Sequence, residues 1–150
     1  MPQTDGHMTS KHSTIEVSTD EGVNYTDISC SANAFEPNPG AHMTGSAHVF
    51  CEPLPLVALG NIEPSEATLR LIYTEDEGEA VDLIEGFVTN QTKVWLRWRP
   101  KGPGAGNWEW TGGGYFTTLP IPAGDSDSGD ILAVEVPWFG VGLTSAPQAT

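Results

Sequence analysis

The sequence is poor in basic residues. Lys and Arg together number 6, against 20 Asp and Glu, and the formal net charge at pH 7 is -14. Affinity for nucleic-acid backbones and for anionic membranes comes from Lys and Arg side chains. The composition therefore argues against a nucleic-acid-binding protein and against a membrane partner. It suits instead a surface to which DNA does not adhere.

Long apolar runs and cysteines are also scarce. The sequence contains no apolar run of about 18 residues, so it predicts no transmembrane helix. Its first segment, residues 1–13 (MPQTDGHMTSKHS), lacks the apolar centre of a signal peptide, which predicts folding in the cytoplasm. The two cysteines, Cys30 and Cys51, are then expected to be reduced, with a disulfide between them as the alternative.

Catalytic and metal-binding motifs are absent as well. The sequence has no phosphate-binding loop, zinc-protease helix, paired CxxC or nucleophile elbow. His42, His48 and Cys51 are potential ligands, but such residues in and beside a loop often occur by chance. The acidic loop at 124–130 lacks the glycine and the closing glutamate of a calcium loop. We therefore expect no metal, no cofactor and no enzymatic activity.

The most informative segment that is present is 93–117 (KVWLRWRPKGPGAGNWEWTGGGYFT), which predicts a long β-hairpin. Four of the six basic residues lie within it. Because side chains alternate along a strand, the first strand has an apolar face and a charged face. The apolar face carries Val94, Leu96 and Trp98. The charged face carries Lys93, Trp95, Arg97 and Arg99.

The second strand of this hairpin alternates in the same way. One face carries Trp108, Trp110 and Phe116, and the other carries Glu109, Thr111, Tyr115 and Thr117. The glycines at 112 and 114 predict a bulge or the close approach of another backbone. The tryptophans have two interpretations. Trp98, Trp108 and Trp110 either belong to the core or provide a platform for sugar rings.

The remaining patterns predict a mainly β fold, a sandwich or barrel with one flanking α-helix at about 76–89. Asp76 and Glu79 form a candidate N-terminal capping pair. Further strands are predicted at 13–18, 23–30, 45–52, 68–74 and 131–139, and extended loops at 31–44 and 119–130. One domain, residues 13–144, is expected between a flexible arm at 1–12 and a flexible tail at 145–150.

The order of these elements resembles a known family. The sequence is similar to the major tail tube protein of long-tailed (siphovirus-type) bacteriophages in the order of its last elements. These are a helix, a charged strand and then the segment WEWTGGGYFTTLPIPAGDSDSGDILAVEVPWFGVGLT. The resemblance covers roughly residues 13–144 and depends on order and spacing more than on identity. Many tryptophans and a proline-rich middle depart from the commoner pattern of that family.

The resemblance implies a structural virion protein. Hexameric rings would stack into a tube, with inner strands joined into a shared β-barrel that forms an acidic conduit for DNA ejection into the host. Implied partners are further copies, the tape-measure protein, the tail terminator and tail-tip proteins, with assembly in the host cytoplasm and a final place in the virion tail. A carbohydrate-binding β-sandwich module using Trp95, Trp108 or Trp110 is the alternative.

Under this interpretation two groups of residues become candidate sites. Glu109, Thr111 and Thr117 are expected to face the lumen, because a basic lining would bind the phosphates of passing DNA. Contacts between subunits are expected from two sources, the charged strand face and the long loop with its two large apolar residues. These candidates are Lys93, Arg97, Arg99, Phe35 and Met43.

Overall fold

The structure is a computed structural model that describes residues 8–127 and 129–149. Within these residues the chain forms nine strands and one α-helix. In order they are Thr14–Ser18 (β1), Thr26–Asp27 (β2), Ala32–Asn38 (β3), His42–Ala47 (β4), Leu56–Ile62 (β5), Ser65–Ile72 (β6), Ala80–Thr89 (α1), Val94–Arg99 (β7), Trp108–Phe116 (β8) and Ala133–Pro147 (β9). The mainly β prediction with one flanking helix is confirmed.

Seven of the strands form one antiparallel sheet that curls into a half-barrel. Its strand order is β2-β1-β7-β8-β9-β6-β3, and β4 and β5 form a separate two-stranded sheet. The predicted hairpin at 93–117 lies at its centre as β7 and β8, with Trp98 opposite Trp110. Its glycines allow close packing, because a Cβ at Gly114 would lie 2.2 Å from the carbonyl oxygen of Phe139.

The core lies on the concave side of the half-barrel. Alternation along β6, β7 and β9 directs every second side chain inward, as the period of a strand requires. Full burial of each large apolar side chain stabilises the fold by about 1.5–3 kcal/mol. The largest fully buried side chains are Trp138, Ile15, Leu69, Leu71, Ile84, Leu96, Val94 and Val136. Ala80, Val81 and Ile84 of α1 belong to the same core cluster.

The start of the helix differs from the sequence prediction. α1 begins at Ala80 instead of at 76, and the side chain of Glu79 at the N-cap makes no capping hydrogen bond. That carboxylate instead accepts a hydrogen bond from the Thr74 hydroxyl at 2.5 Å. Gly78 adopts a φ of 83°, a left-handed conformation that interrupts the helix before it reaches Asp76. The proposed capping pair is therefore wrong.

The predicted loop at 31–44 is also wrong, because it contains β3 and the beginning of β4. β3 forms the edge of the large sheet, where Pro37 is tolerated because an edge strand need not donate every backbone N–H. The strand predicted at 45–52 ends earlier, at Ala47, and the one predicted at 23–30 is reduced to Thr26–Asp27.

The last strand, β9, extends to Pro147 and so enters the segment from 145 whose polar composition predicts a flexible tail. β9 pairs with β8 as far as Pro147, beyond an irregularity in register that accompanies a φ of 54° at Gly142. Gln148 is buried and binds the turn between β7 and β8. Its Nε2 donates to the carbonyl of Gly102, and its Oε1 accepts from the N–H of Gly104, each at 3.0 Å.

The N-terminal arm is described only in part. Residues 1–7 of the predicted arm lie outside the described residues, and Ser10–His12 form a 3-10 turn. The Ser13 hydroxyl then donates to the carbonyl of Pro100 at 2.5 Å. This contact fixes the chain just before β1 to the turn that follows β7.

Candidate assembly surfaces

The first candidate surface is the hairpin arm, residues 42–62, which comprises β4, β5 and the turn between them. Every residue of both strands is exposed. Monomeric proteins rarely expose apolar patches beyond a few hundred Å², and an isolated two-stranded hairpin is marginally stable in water. The exposed large apolar side chains are Met43, Val49, Phe50, Leu54, Leu56, Val57, Leu59 and Ile62. Such an arm is typical of a surface that another chain covers.

The base of the hairpin arm is fixed to the half-barrel. Gly40 has a φ of 78°, and a Cβ there would lie 2.4 Å from the carbonyl oxygen of Glu63, so the turn requires glycine. The buried hydroxyl of Ser65 donates to the carbonyl of Pro39 at 2.9 Å and accepts from the N–H of Leu143 at 3.0 Å. The arm therefore leaves the domain at a defined position.

The second candidate surface is the aromatic pocket, an open cavity of about 290 Å³. It is lined by Phe35, Pro37, Pro39, Leu96, Trp98, Trp110 and Leu143. The rings of Phe35 and Trp98 lie 4.9 Å apart with a tilt of 42° between their planes, a favourable geometry for aromatic pairs. Sequence patterns did not indicate this pocket, because Phe35 reaches it from the segment predicted as a loop at 31–44 and Leu143 lies beyond the last predicted strand, 131–139.

The charged face of β7 forms ion pairs within its own chain. Arg97 forms a short ion pair with Glu16, and Nη1 of Arg99 lies 3.4 Å from Oε1 of Glu16. The Tyr25 ring stacks on the Arg97 guanidinium at 3.8 Å. Burial raises the pKa of Tyr25, and the positive charge of Arg97 partly opposes that shift. Arg97 and Arg99 thus have an acidic partner in their own chain, and contacts of these two residues with a neighbouring subunit stay a prediction.

The other predicted subunit contacts are exposed to different extents. Lys93 is exposed, with its Nζ 5.1 Å from the ring centre of Trp95. Met43 is exposed on the hairpin arm, whereas Phe35 is half-buried in the aromatic pocket. A role of these residues between subunits stays a prediction.

The third candidate surface is the convex face, the side of the large sheet that points away from the core. Glu109, Thr111 and Thr117 have the same alternation and lie on this side. Glu109 is half-buried and accepts from Nε of Arg99 at 3.1 Å. Further along the sheet, β3, β6 and β9 expose charged side chains from the same side. These are Glu36, Glu66, Arg70 and Glu135.

The tryptophans do not form a single platform. Trp95 lies opposite Gly113 on the convex face, whereas Trp110 lines the aromatic pocket on the other side of the sheet. Trp108 shares the side of Trp110, and both are exposed, at 57% and 37%, so the core interpretation is wrong for these two. Trp98 is half-buried and packs against the core. Of the five tryptophans, Trp138 is the one that is fully buried, and its indole N–H donates to the carbonyl of Val94 at 3.3 Å.

Other site types find little support in the described part of the chain. Across residues 8–127 and 129–149, no group of three or more His, Cys, Asp and Glu is arranged to hold a metal ion. No helix in these ranges is long and apolar enough to cross a membrane. Cys30 and Cys51 are both free and exposed.

The fold is shared with structural chains of contractile injection systems and phage-like particles. One similar structure is a chain of the sheath-tube complex of an extracellular contractile injection system, PVC, in the extended state. It has 15% identity and a TM-score of 0.72, with 96% of this chain and 94% of that chain covered. The tube-terminating cap of the anti-feeding prophage matches at 12% identity and a TM-score of 0.71, covering 99% and 95%.

A chain from the virion of a native gene transfer agent particle matches at 10% identity and a TM-score of 0.67, covering 95% of this chain and 100% of that chain. No protein-family profile matches the sequence, and no curated protein matches it. The likeness therefore concerns the fold alone, which is shared with chains of tube-containing particles.

Proposed function

We propose that the protein is a structural subunit of the tail tube of a phage or of a related injection particle. Copies of the chain form hexameric rings, and the rings stack into a conduit. The observation that carries this proposal is the hairpin arm. A tube-like domain with an exposed apolar arm on a rigid base has the form of a subunit that completes its packing in an assembly.

The energetics of the hairpin arm favour contact with other copies. Burial of apolar surface contributes roughly 25 cal/mol per Å², and a stable interface covers about 800 Å² on each partner. Eight large apolar side chains on one arm provide surface of that order. If the protein stayed monomeric, this apolar surface would remain exposed to water and would favour aggregation.

Ring closure requires a second kind of contact, and the edges of the large sheet are suited to it. Among the described residues, β3 pairs with β6 on one side only, and the two-residue β2 covers little of β1. Unpaired strand edges join readily with strands of another chain. Pairing at these edges would connect the inner strands of neighbouring subunits into the shared β-barrel.

We place the convex face toward the lumen. On β3, β6 and β9 this face carries three exposed carboxylates, Glu36, Glu66 and Glu135, against one exposed basic residue, Arg70. On the β7 side, Arg97 and Arg99 are paired with Glu16 and Glu109, and Lys93 lies over the ring of Trp95. Thr111 and Thr117 extend the same side with neutral polar groups, and the charge of Glu109 is balanced by Arg99. A lining with excess carboxylates repels phosphate, so DNA slides through instead of binding.

The same proposal defines the partners and the location. Neighbouring copies are the main partner, and a tape-measure protein, a tail terminator and tail-tip proteins would contact the lumen and the two tube ends. The chain would assemble in the host cytoplasm and end in the tail of the particle. DNA would pass without specific binding, and no cofactor takes part.

Removal of the hairpin arm tests this function. Replacing residues 43–61 with a short Gly-Ser turn should leave the half-barrel folded, because the arm contributes no residue to the core. Sedimentation velocity at increasing concentration should detect rings or tubes for the wild type and monomers for the shortened variant. Equal assembly of both proteins would contradict the proposal.

A further inference from the structure

The tip of the hairpin arm presents an aromatic side chain that its own chain leaves uncovered. Phe50 lies in the turn between β4 and β5 and is fully exposed. Leu54, in the same turn, is 73% exposed. A fully exposed Phe at the end of a projecting hairpin has an unfavourable hydration free energy unless another surface receives it.

The aromatic pocket has the size and the chemistry to receive such a side chain. Apolar cavities of about 150 Å³ accommodate a benzene molecule, so a pocket of about 290 Å³ can hold a phenyl ring and one aliphatic neighbour. The tilted rings of Phe35 and Trp98 provide faces and edges for a third aromatic ring. Trp110 forms a further wall and is 37% exposed, so the mouth is open to solvent.

The tip of the arm is too far away to fill the pocket of its own chain. Pro39 belongs to the pocket wall and lies at the base of the arm. From this base, the six residues of β4 extend the arm by about 20 Å at 3.4 Å per residue. Phe50 follows β4 at the far end, so only the pocket of another molecule is within its reach.

We propose that Phe50 of one copy inserts into the aromatic pocket of the next copy. The inference rests on the proposed function and identifies the contact that links successive subunits. An apolar projection and a complementary pocket at separate places on one chain are suited to a head-to-tail contact, which generates rings or open assemblies. A second copy is therefore the occupant that the geometry favours.

The first test compares the critical concentration for assembly of Phe50→Ala with that of the wild type. Loss of a buried Phe side chain should raise this concentration at least about tenfold. Ile121→Ala is the matched control, because Ile121 is 74% exposed but lies outside the arm. Its critical concentration should stay within about twofold of the wild-type value.

A cross-link locates the contact directly. Cys51 lies beside Phe50 and is exposed, and Pro37 lines the pocket. In a Cys30→Ser background, Pro37→Cys should therefore give a ladder of covalent oligomers with a short thiol-to-thiol cross-linker. Glu135→Cys, on the opposite side of the sheet, should give none.

The outcomes separate the two proposals. If the wild type forms tubes while Phe50→Ala assembles equally well and Pro37→Cys gives no ladder, the insertion is wrong and the proposed function stands. If the wild type stays monomeric at every concentration, both proposals fail. A ladder that disappears when Phe50→Ala is added to the Pro37→Cys variant would support the insertion.

Discussion

Nε of Arg99 donates to Oε2 of Glu109 at 3.1 Å, across the central hairpin. The same guanidinium lies 3.4 Å from Glu16, which also pairs with Arg97, so two Arg and two Glu form one network over three strands. Within one chain, the charged side of β7 therefore joins β1, β7 and β8, and a role of Arg97 and Arg99 between subunits stays a prediction.

The first prediction concerns this network. Glu16 is 7% exposed and binds two guanidinium groups. Glu16→Gln should lower the free energy of unfolding by about 1.5–3 kcal/mol, because hydrogen bonds to charged groups are worth that much and Arg97 would remain partly buried. Urea unfolding of the monomer measures this change. Glu135→Gln, an exposed control, should change it by less than about 0.5 kcal/mol, and equal effects of the two would contradict the role of the network.

The second prediction contrasts two glycines. A Cβ at Gly114 would lie 2.2 Å from the carbonyl oxygen of Phe139, whereas one at Gly86 in α1 would meet nothing within 4 Å. Gly114→Ala should destabilise the fold by about 1–3 kcal/mol through overpacking. Gly86→Ala should stabilise it by about 0.5–1 kcal/mol, because alanine favours the helix. Thermal unfolding distinguishes the two signs, and stabilisation by both would contradict the packing of β8 on β9.

The third prediction concerns Asp20, in the turn after β1. The Ser18 hydroxyl donates to this carboxylate at 2.6 Å, and the backbone N–H and side-chain amide of Asn24 donate at 2.8 and 2.7 Å. These bonds lower its pKa from 3.8 to about 2, with the Ser18 bond as the largest cause. Because the folded pKa is depressed, the stabilisation is complete above about pH 4 and is lost as the pH falls through about 2.

An NMR titration of the Asp20 carboxyl carbon checks this directly. The wild-type midpoint should lie near 2, and Ser18→Ala should move it upward toward 3.8. A wild-type midpoint already at the ordinary value would show that the hydrogen bonds do not persist in solution.

The fourth prediction concerns the lumen. Reversing charge at Glu36, Glu66 and Glu135 to Lys should leave assembly intact but give tubes that retain DNA, because the lining would then bind phosphate. Retention should weaken steeply as salt rises. Co-sedimentation of tubes with a short DNA duplex measures it. Glu85→Lys on the exposed side of α1 is the control. If Glu85→Lys tubes retained as much DNA as tubes of the triple variant, Glu36, Glu66 and Glu135 would not line the channel.

Sequence patterns predicted the elements whose signal is local. The alternation of Val94, Leu96 and Trp98 against Arg97 identified β7 and its buried side, and the glycines of β8 indicated the close approach of β9. The helix was found because its apolar stripe has a period of 3.6 residues. The predicted start of the helix was wrong, because the left-handed conformation of Gly78 determines where the helix begins. The spacing of apolar residues gives no information on that conformation.

The candidate surfaces were harder to predict because they depend on contacts between distant segments. β3 has few large apolar residues and becomes a strand by pairing with β6. The aromatic pocket needs the register irregularity in β9 that turns Leu143 inward beside Trp110. In the hairpin arm, no alternation distinguishes two faces, because both faces of β5 are apolar and exposed.

Cryo-electron microscopy of the purified protein at increasing concentration tests whether the chain builds a tube. We expect hexameric rings that stack into tubes, with residues 42–62 of each subunit packed against a neighbouring copy and the convex face of β3, β6 and β9 lining the channel. A protein that remains monomeric at every concentration, or tubes in which the hairpin arm is exposed to solvent, would contradict it.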